Sequence, residues 1–156
     1  MSEVMPDTEA YLAANPFGTE VQASEIVENF AFFDDWEDRY RFILDLSKQL
    51  PEMPDALKAP EHIIHGCQSQ VWITHHSRDG RLYFVLDSDA HIVRGLIAIV
   101  LSALNARPAA DILKADVDDL FAELDLIRHL SPTRGNGLRA MVARIRKIAA
   151  TECEAH

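Results

Sequence analysis

The sequence predicts an α+β domain in which a small antiparallel β-sheet packs against several α-helices. Three observations lead there. Apolar residues recur at helical spacing before Pro51 and again after Asp89. Between these regions lie two short segments rich in aromatic and β-branched residues, Val71 to His76 and Arg81 to Leu86. The pair Asp79-Gly80 separates them, the sequence signal of a tight hairpin. A helical hairpin, a small sheet and a helical remainder, in that order, make an α+β domain.

Residues 1–22 carry Glu3, Asp7, Glu9 and Glu20 but no Lys or Arg, and Pro6, Pro16 and Gly18 interrupt any periodicity. They read as a loosely ordered acidic extension ahead of a domain over residues 23–150, with 151–156 as a tail. Ser24 is placed to cap a first helix carrying Ile26, Val27, Phe30 and Phe33 on one face. Asp34 with Glu37 has capping-box spacing and opens a second, which buries Trp36, Tyr40, Ile43, Leu44 and Leu50 until Pro51 stops it. The prolines at 51, 54 and 60 force a surface crossing, which delivers His62-Ile63-Ile64 as a third short strand. After the hairpin, Asp87, Ser88 and Asp89 offer N-caps for a helix over 90–105 that carries Ile92, Val93, Leu96, Ile97, Val100 and Leu104. Short helices fit 110–114 and 117–124. A last one follows Gly135 and runs to about Ala150 on Leu138, Met141, Val142, Ile145 and Ile148.

Composition narrows the function. A chain of 156 residues with 48% hydrophobic content builds one core. Fifteen basic residues against 25 acidic ones give a net charge of −10, which argues against nucleic acid as a partner because phosphates need a basic surface. A basic docking surface on a protein partner would suit so acidic a chain. The first residues lack the basic start and apolar stretch of an export signal. The longest apolar run, Ile92 to Leu104, is shorter than the roughly 20 residues that span a bilayer. Two cysteines, Cys67 and Cys153, without a CxxC point to a reducing, cytoplasmic setting. There is no GxSxG, Walker loop, GxGxxG or HExxH.

The stretch with chemical character is His65-Gly66-Cys67-Gln68-Ser69-Gln70-Val71-Trp72-Ile73. Gly66 permits a turn with either sign of φ, and Gln68, Ser69 and Gln70 supply donors for a sulfur anion. The residue types leave three readings open: a reactive thiol, a packed small side chain, or one ligand of a metal site with His62, His65, His75 and His76. A thiol redox protein in which Cys153 resolves oxidised Cys67 is a further alternative.

Gly66-Cys67-Gln68-Ser69-Gln70-Val71-Trp72 resembles the signature of the SufE family of sulfur acceptors, which serve cysteine desulfurases in iron–sulfur cluster assembly. Two further blocks are similar in order and separation: Asp87-Ser88-Asp89-Ala90 with Ile92-Val93-Arg94-Gly95-Leu96, and Leu130-Ser131-Pro132-Thr133-Arg134 with Gly137-Leu138 and Ala140-Met141. The likeness extends over about residues 24–150. It implies a SufE/IscU-like fold with the cysteine on a loop beside the sheet. It also implies that Cys67 accepts the outer sulfur of a desulfurase persulfide, becomes a persulfide itself, activates the desulfurase and passes the sulfur on. Arg134 is then a candidate thiolate or partner contact. Gly66, Gln68 and Ser69 shape the cysteine loop, and Asp87 and Asp89 are recognition or loop-ordering candidates, with helix capping as their simpler reading. The implied partners are a SufS-type or CsdA-type desulfurase, which holds the pyridoxal phosphate, and a downstream iron–sulfur scaffold or other sulfur recipient. The chain itself needs no cofactor and no metal, and its state as monomer or homodimer stays open.

Overall fold

The computed structural model describes residues 6–67 and 69–155, and in it the hairpin forms where the alternation predicts. Strands β1 (Val71–Arg78) and β2 (Arg81–Ser88) pair antiparallel, from Val71 opposite Ser88 to Arg78 opposite Arg81. The two-residue loop has φ of 53° at Asp79 and 76° at Gly80. Two positive values are what a primed turn requires to match the strand twist, and Asp-Gly supplies them at little cost.

Helix α3 (Trp36–Gln49) and helix α4 (His91–Leu104) form the layer behind the sheet, with α4 packed on β2. Leu96, Ile97, Ala98, Ile99, Val100 and Leu101 are all at most 1% exposed, so α4 is buried nearly all round. The two helices touch at Gly95, where a Cβ would lie 2.2 Å from the carbonyl oxygen of Ile43. Only glycine lets the backbones approach this closely. Helices α1 (Pro6–Ala14), α2 (Ala23–Ala31), α5 (Ala109–Lys114), α6 (Val117–Glu123), α7 (Leu126–His129) and α8 (Pro132–Ala155) complete the fold. This is the predicted α+β class. Among the described residues, no helix is long and apolar enough to cross a membrane.

Arg94 is the single charged residue of α4 and is 12% exposed at its side chain; its partner Asp87, on β2, is 1% exposed. The guanidinium donates to Asp87 Oδ1 and to the carbonyl oxygens of Ser47 and Leu50 at the end of α3. Asp87 Oδ2 accepts from the Met53 amide at 2.8 Å, and Oδ1 also accepts from Ser88 N at 2.8 Å. The partners of this buried pair come from the end of α3, the crossing after it and the end of β2. The pair therefore fixes how α3, the crossing at Pro51–Pro54, β2 and α4 meet.

The outer edge of β2 is closed without a third long strand. Leu82 exchanges backbone hydrogen bonds with Arg107 and Ala106, Phe84 N donates to Asn105 Oδ1 at 2.8 Å, and the Tyr11 hydroxyl both donates to Leu86 O and accepts from Leu86 N. Burial holds the Tyr11 phenol far above its ordinary pKa, so this donor stays protonated.

Several sequence expectations are corrected here. The described part of residues 1–22 is not a loose extension: α1 docks through Tyr11, Phe17 is fully buried, and Glu9 pairs with Arg78 on β1. Two aromatic anchors outweigh the acidic, proline-broken composition. Residues 62–64 do not make a strand; His62 ends a 3-10 turn over Pro60–His62, and only an isolated bridge joins Ile63 to Trp72. The α3 cap is Asp35, which accepts from Asp38 N, one residue past the expected Asp34–Glu37 box. Helix α2 starts after Gln22 with no side-chain cap, so Ser24 lies inside it. Asp87 and Asp89 do not cap α4 either: its N-cap is Ala90, and both carboxylates are engaged elsewhere. Helix α8 begins at Pro132 rather than after Gly135, and it absorbs residues 151–155 of the expected tail.

Two outcomes follow for stability. Arg94→Ala leaves the Asp87 carboxylate buried without its cation and is expected to cost about 3–5 kcal/mol in urea unfolding; a loss below about 1 kcal/mol would show that the pair does not hold these elements. Gly95→Ala forces α3 and α4 apart and is expected to cost at least about 1–3 kcal/mol, read as a lower thermal midpoint.

Candidate functional site

The cysteine loop, residues 65–70, is pinned at both stems. Ile64 N donates to Val71 O at 2.8 Å on one side. On the other, Gln70 N donates to Asp89 Oδ1 at 3.1 Å and Gln70 O accepts from Asp89 N at 3.3 Å. The hairpin thus continues one step beyond β1 and β2 through a side chain. Between the stems, Gly66 has φ of +94°, which other residues adopt at a cost in strain. His65 and Gly66 are exposed, and the chain then turns Cys67 inward.

Cys67 meets the first turns of α8. The local sequence explains where that helix starts: Ser131 Oγ accepts from Arg134 N at 3.2 Å, and Pro132 occupies the first helical position, where a missing N–H costs nothing. Five residues on, Gly137 gives the sulfur its place. The thiol donates to the Gly137 carbonyl oxygen at 3.7 Å, and a Cβ on Gly137 would lie 3.5 Å from Sγ. Cys67 lines a small cleft together with Ser69, Val93, Leu96, Thr133, Arg134 and Met141. Its volume is about 30 Å³. That exceeds the roughly 10–15 Å³ needed for one water, and it is about a tenth of the smallest ordinary small-molecule pocket. The cleft has room for an atom, not for a metabolite or a cofactor.

Burial pushes the Cys67 thiol above its ordinary pKa, and no neighbouring cation offsets that effect. At neutral pH the resting residue is a protonated thiol whose hydrogen is held by a carbonyl. Arg134 shares the cleft lining, and its guanidinium makes no ion pair with any described residue.

Of the residues singled out in the sequence, Cys67, Ser69 and Arg134 come together at the cleft, Gly66 sets the turn, and Asp89 holds the loop stem. Asp87 lies apart, in the buried pair with Arg94. Gln68 lies outside the described residues. Gly137, Val93 and Met141, which line the cleft, stand in the blocks that carry the family resemblance but were given no role at the site. A glycine at 137 near the start of a strongly periodic helix is the available signal, since it costs about 1 kcal/mol against alanine unless something must come close.

The rival readings fare poorly on geometry. Among the described residues no three His, Cys, Asp or Glu side chains are grouped to hold a metal ion. His62 Nδ1 is 2.7 Å from Leu57 O, and His75 lies 3.7 Å from Glu152 at the far end of α8. Cys153 is exposed, sixteen residues along α8 from Gly137 and so about 24 Å away along its axis. A disulfide needs Cα atoms within about 7 Å, which excludes an internal Cys67–Cys153 link in this fold.

The buried thiol yields a pH prediction. In a Cys153→Ser background, the midpoint of iodoacetamide alkylation at Cys67 is expected above the ordinary value of about 8.5 and should fall back to it in urea. Because the unfolded chain loses this proton first, stability is expected to fall as pH climbs from the free-thiol value through the folded one; Cys67→Ser should remove that fall. An alkylation midpoint at or below the ordinary value would mean an electropositive site instead.

The chain is similar to several known proteins. The SufE family profile, described as an Fe-S metabolism associated domain, matches residues 24–149. An uncharacterised SufE-like protein of Rhizobium meliloti is 47% identical over 129 residues, 80% of this chain and 92% of that one. The sulfur acceptor protein CsdE of Escherichia coli is 41% identical over 146 residues, 93% of this chain and 98% of its own. A solution structure of a hypothetical protein from Thermus thermophilus superposes with a TM-score of 0.67 over 83% of this chain and 93% of that one, and at 17% identity it speaks for the fold alone. The profile match and the two sequence relatives together establish that the chain belongs to the SufE family.

Proposed function

We propose that the protein is a sulfur acceptor that takes the outer sulfur of a cysteine desulfurase persulfide onto Cys67 and delivers it for iron–sulfur cluster assembly. The observation that carries this reading is the half-buried Cys67 thiol in the lining of a cleft of about 30 Å³, room enough for one added sulfur atom. The relationship to a named sulfur acceptor over nearly the whole chain supports it.

The transfer is a thiol exchange. The Cys67 thiolate attacks the outer sulfur of the donor persulfide, the new bond joins Sγ to that sulfur, and the donor's sulfur–sulfur bond breaks. Its electron pair leaves with the donor cysteine as a thiolate, which takes up a proton equivalent to the one Cys67 gave up. No net oxidation occurs. Carbon–sulfur cleavage has already happened on the desulfurase's pyridoxal phosphate, so this chain needs no cofactor of its own for the step.

The resting thiol is a poor nucleophile, because it is protonated, half-buried and bonded to Gly137. Transfer therefore requires the docked partner to draw Cys67 off the Gly137 carbonyl and into electropositive surroundings. Arg134, the cation lining the cleft, serves that state by stabilising the thiolate or engaging the partner. Gly66, with its unusual φ, is the pivot for the loop. A SufS-type or CsdA-type enzyme is the donor on this reading, and presenting Cys67 to it clears its persulfide and speeds its turnover. A loose thiol that reacts with solution oxidants would leak; a closed one opens only to its donor.

The test is intact-mass spectrometry after incubation with a cysteine desulfurase and L-cysteine without reductant. The wild type is expected to gain about 32 Da, one sulfur atom, and Cys67→Ser to gain nothing. Turnover of the desulfurase with no mass gain on the wild type would refute the acceptor reading.

A further inference from the structure

Charge is segregated along this chain. From Leu126 to Thr151 there are six Lys or Arg residues and no Asp or Glu, in a protein whose net charge is −10. Most of that basic stretch is α8, the helix against which Cys67 rests. Not all six charges are available: Arg128 pairs with Asp125, and Arg146 donates to Leu113 O of α5.

Two of the others share a side with the cysteine. Gly137, Ala140, Arg144, Ile148 and Thr151 follow one another at steps of three or four residues and so lie on one flank of α8, with Lys147 beside them. Gly137 and Ala140 are the residues nearest Cys67 and Gly66 across that flank. Further along, the flank and His75 of β1 enclose an open groove of about 320 Å³, lined by His75, Arg144, Lys147, Ile148, Thr151 and Glu152. Arg144 stands about 10 Å and Lys147 about 15 Å along the axis from Gly137. Both fall within the radius of about 16 Å that a standard interface patch of about 800 Å² would cover around Cys67. Neither forms an ion pair with another described residue, whereas the groove's own carboxylate, Glu152, faces His75 at 3.7 Å.

We propose that this groove between β1 and α8 receives a carboxylate-bearing surface segment of the sulfur-donating desulfurase, with Arg144 and Lys147 aligning the donor over Cys67. The proposal rests on the sulfur-acceptor reading. It reverses the expectation from bulk composition: the partner meets the chain's basic flank, and the acidic remainder orients the approach by repelling the same carboxylates. Ile148 supplies an apolar floor, and Thr151 spends its hydroxyl on Lys147 O, so the groove recognises charge more than hydrogen-bonding pattern.

Arg139 provides the control. It is exposed and, two positions after Gly137, lies on the opposite side of the helix, so its reversal changes net charge by the same amount outside the groove. The experiment measures sulfur loading of Cys67 against acceptor concentration, using a SufS-type or CsdA-type desulfurase that loads the wild type, at low and at about 0.5 M salt. Lys147→Glu is expected to raise the half-saturating concentration about tenfold or more at low salt, with the difference shrinking at high salt, and with an unchanged unfolding midpoint. Arg139→Glu is expected to stay within about twofold of the wild type. Equal effects of the two reversals would mean that only bulk charge matters and would overturn the proposal, as would an unaffected Lys147→Glu. If no desulfurase loads the wild type at all, the acceptor reading itself has failed.

Discussion

A guanidinium and a carboxylate removed from water at the junction of α3, β2 and α4 hold this molecule's arrangement. Desolvating Arg94 and Asp87 is costly, and the cost is offset only because their hydrogen-bonding groups are met: carbonyls at the end of α3 for the arginine, the amides of Met53 and Ser88 for the aspartate. The pair does more than an apolar contact of equal size would do. It is directional, so it sets the angle at which the Pro51–Pro54 crossing leaves α3 and the register in which β2 ends. Two residues further on, Asp89 takes hold of Gln70. The stem of the cysteine loop thus hangs from the same few residues that organise the core.

From that anchor the site is completed by a helix whose first turns are unusually bare. Gly137 lets Cys67 lie against backbone, where the thiol finds a carbonyl acceptor instead of a cation. The placement favours the neutral thiol. A half-buried thiol close to apolar neighbours keeps its proton, and Arg144 and Lys147 lie about two to three turns of α8 beyond the Gly137 against which it rests.

Much of this was legible in the sequence, and the reasons differ by element. The hairpin was, because Asp79-Gly80 and alternating strands are local signals that need no tertiary context. Helix α4 was, because its apolar pattern is long. The cysteine motif pointed to Cys67 and Ser69, and the family-like block from Leu130 to Arg134 pointed to Arg134; the three line one cleft. What stayed hidden depends on distant parts of the chain. Nothing local says that Arg94, in an otherwise apolar helix, is met by Asp87, which was read as a possible cap. The docking of Tyr11 onto Leu86 spans 75 residues and leaves no periodic trace. The cap at Asp35 and the start of α8 at Ser131-Pro132 were local and readable; adjacent acidic residues and a glycine drew attention away from them.

The closure of β2 by Tyr11 and Asn105 bears on how the molecule behaves among its own copies. A hairpin with an open edge offers its amides and carbonyls as a template for any passing strand, and natural sheets cover such edges. Here the cover at Leu86 is a single phenol carried by a short helix that lies ahead of the span matched by the family profile. A chain trimmed to that matched span would keep Cys67, its loop and its cleft while baring Leu86 along a hydrophobic strand. Its weakness would then show as self-association through the sheet edge, not as damage to the sulfur site.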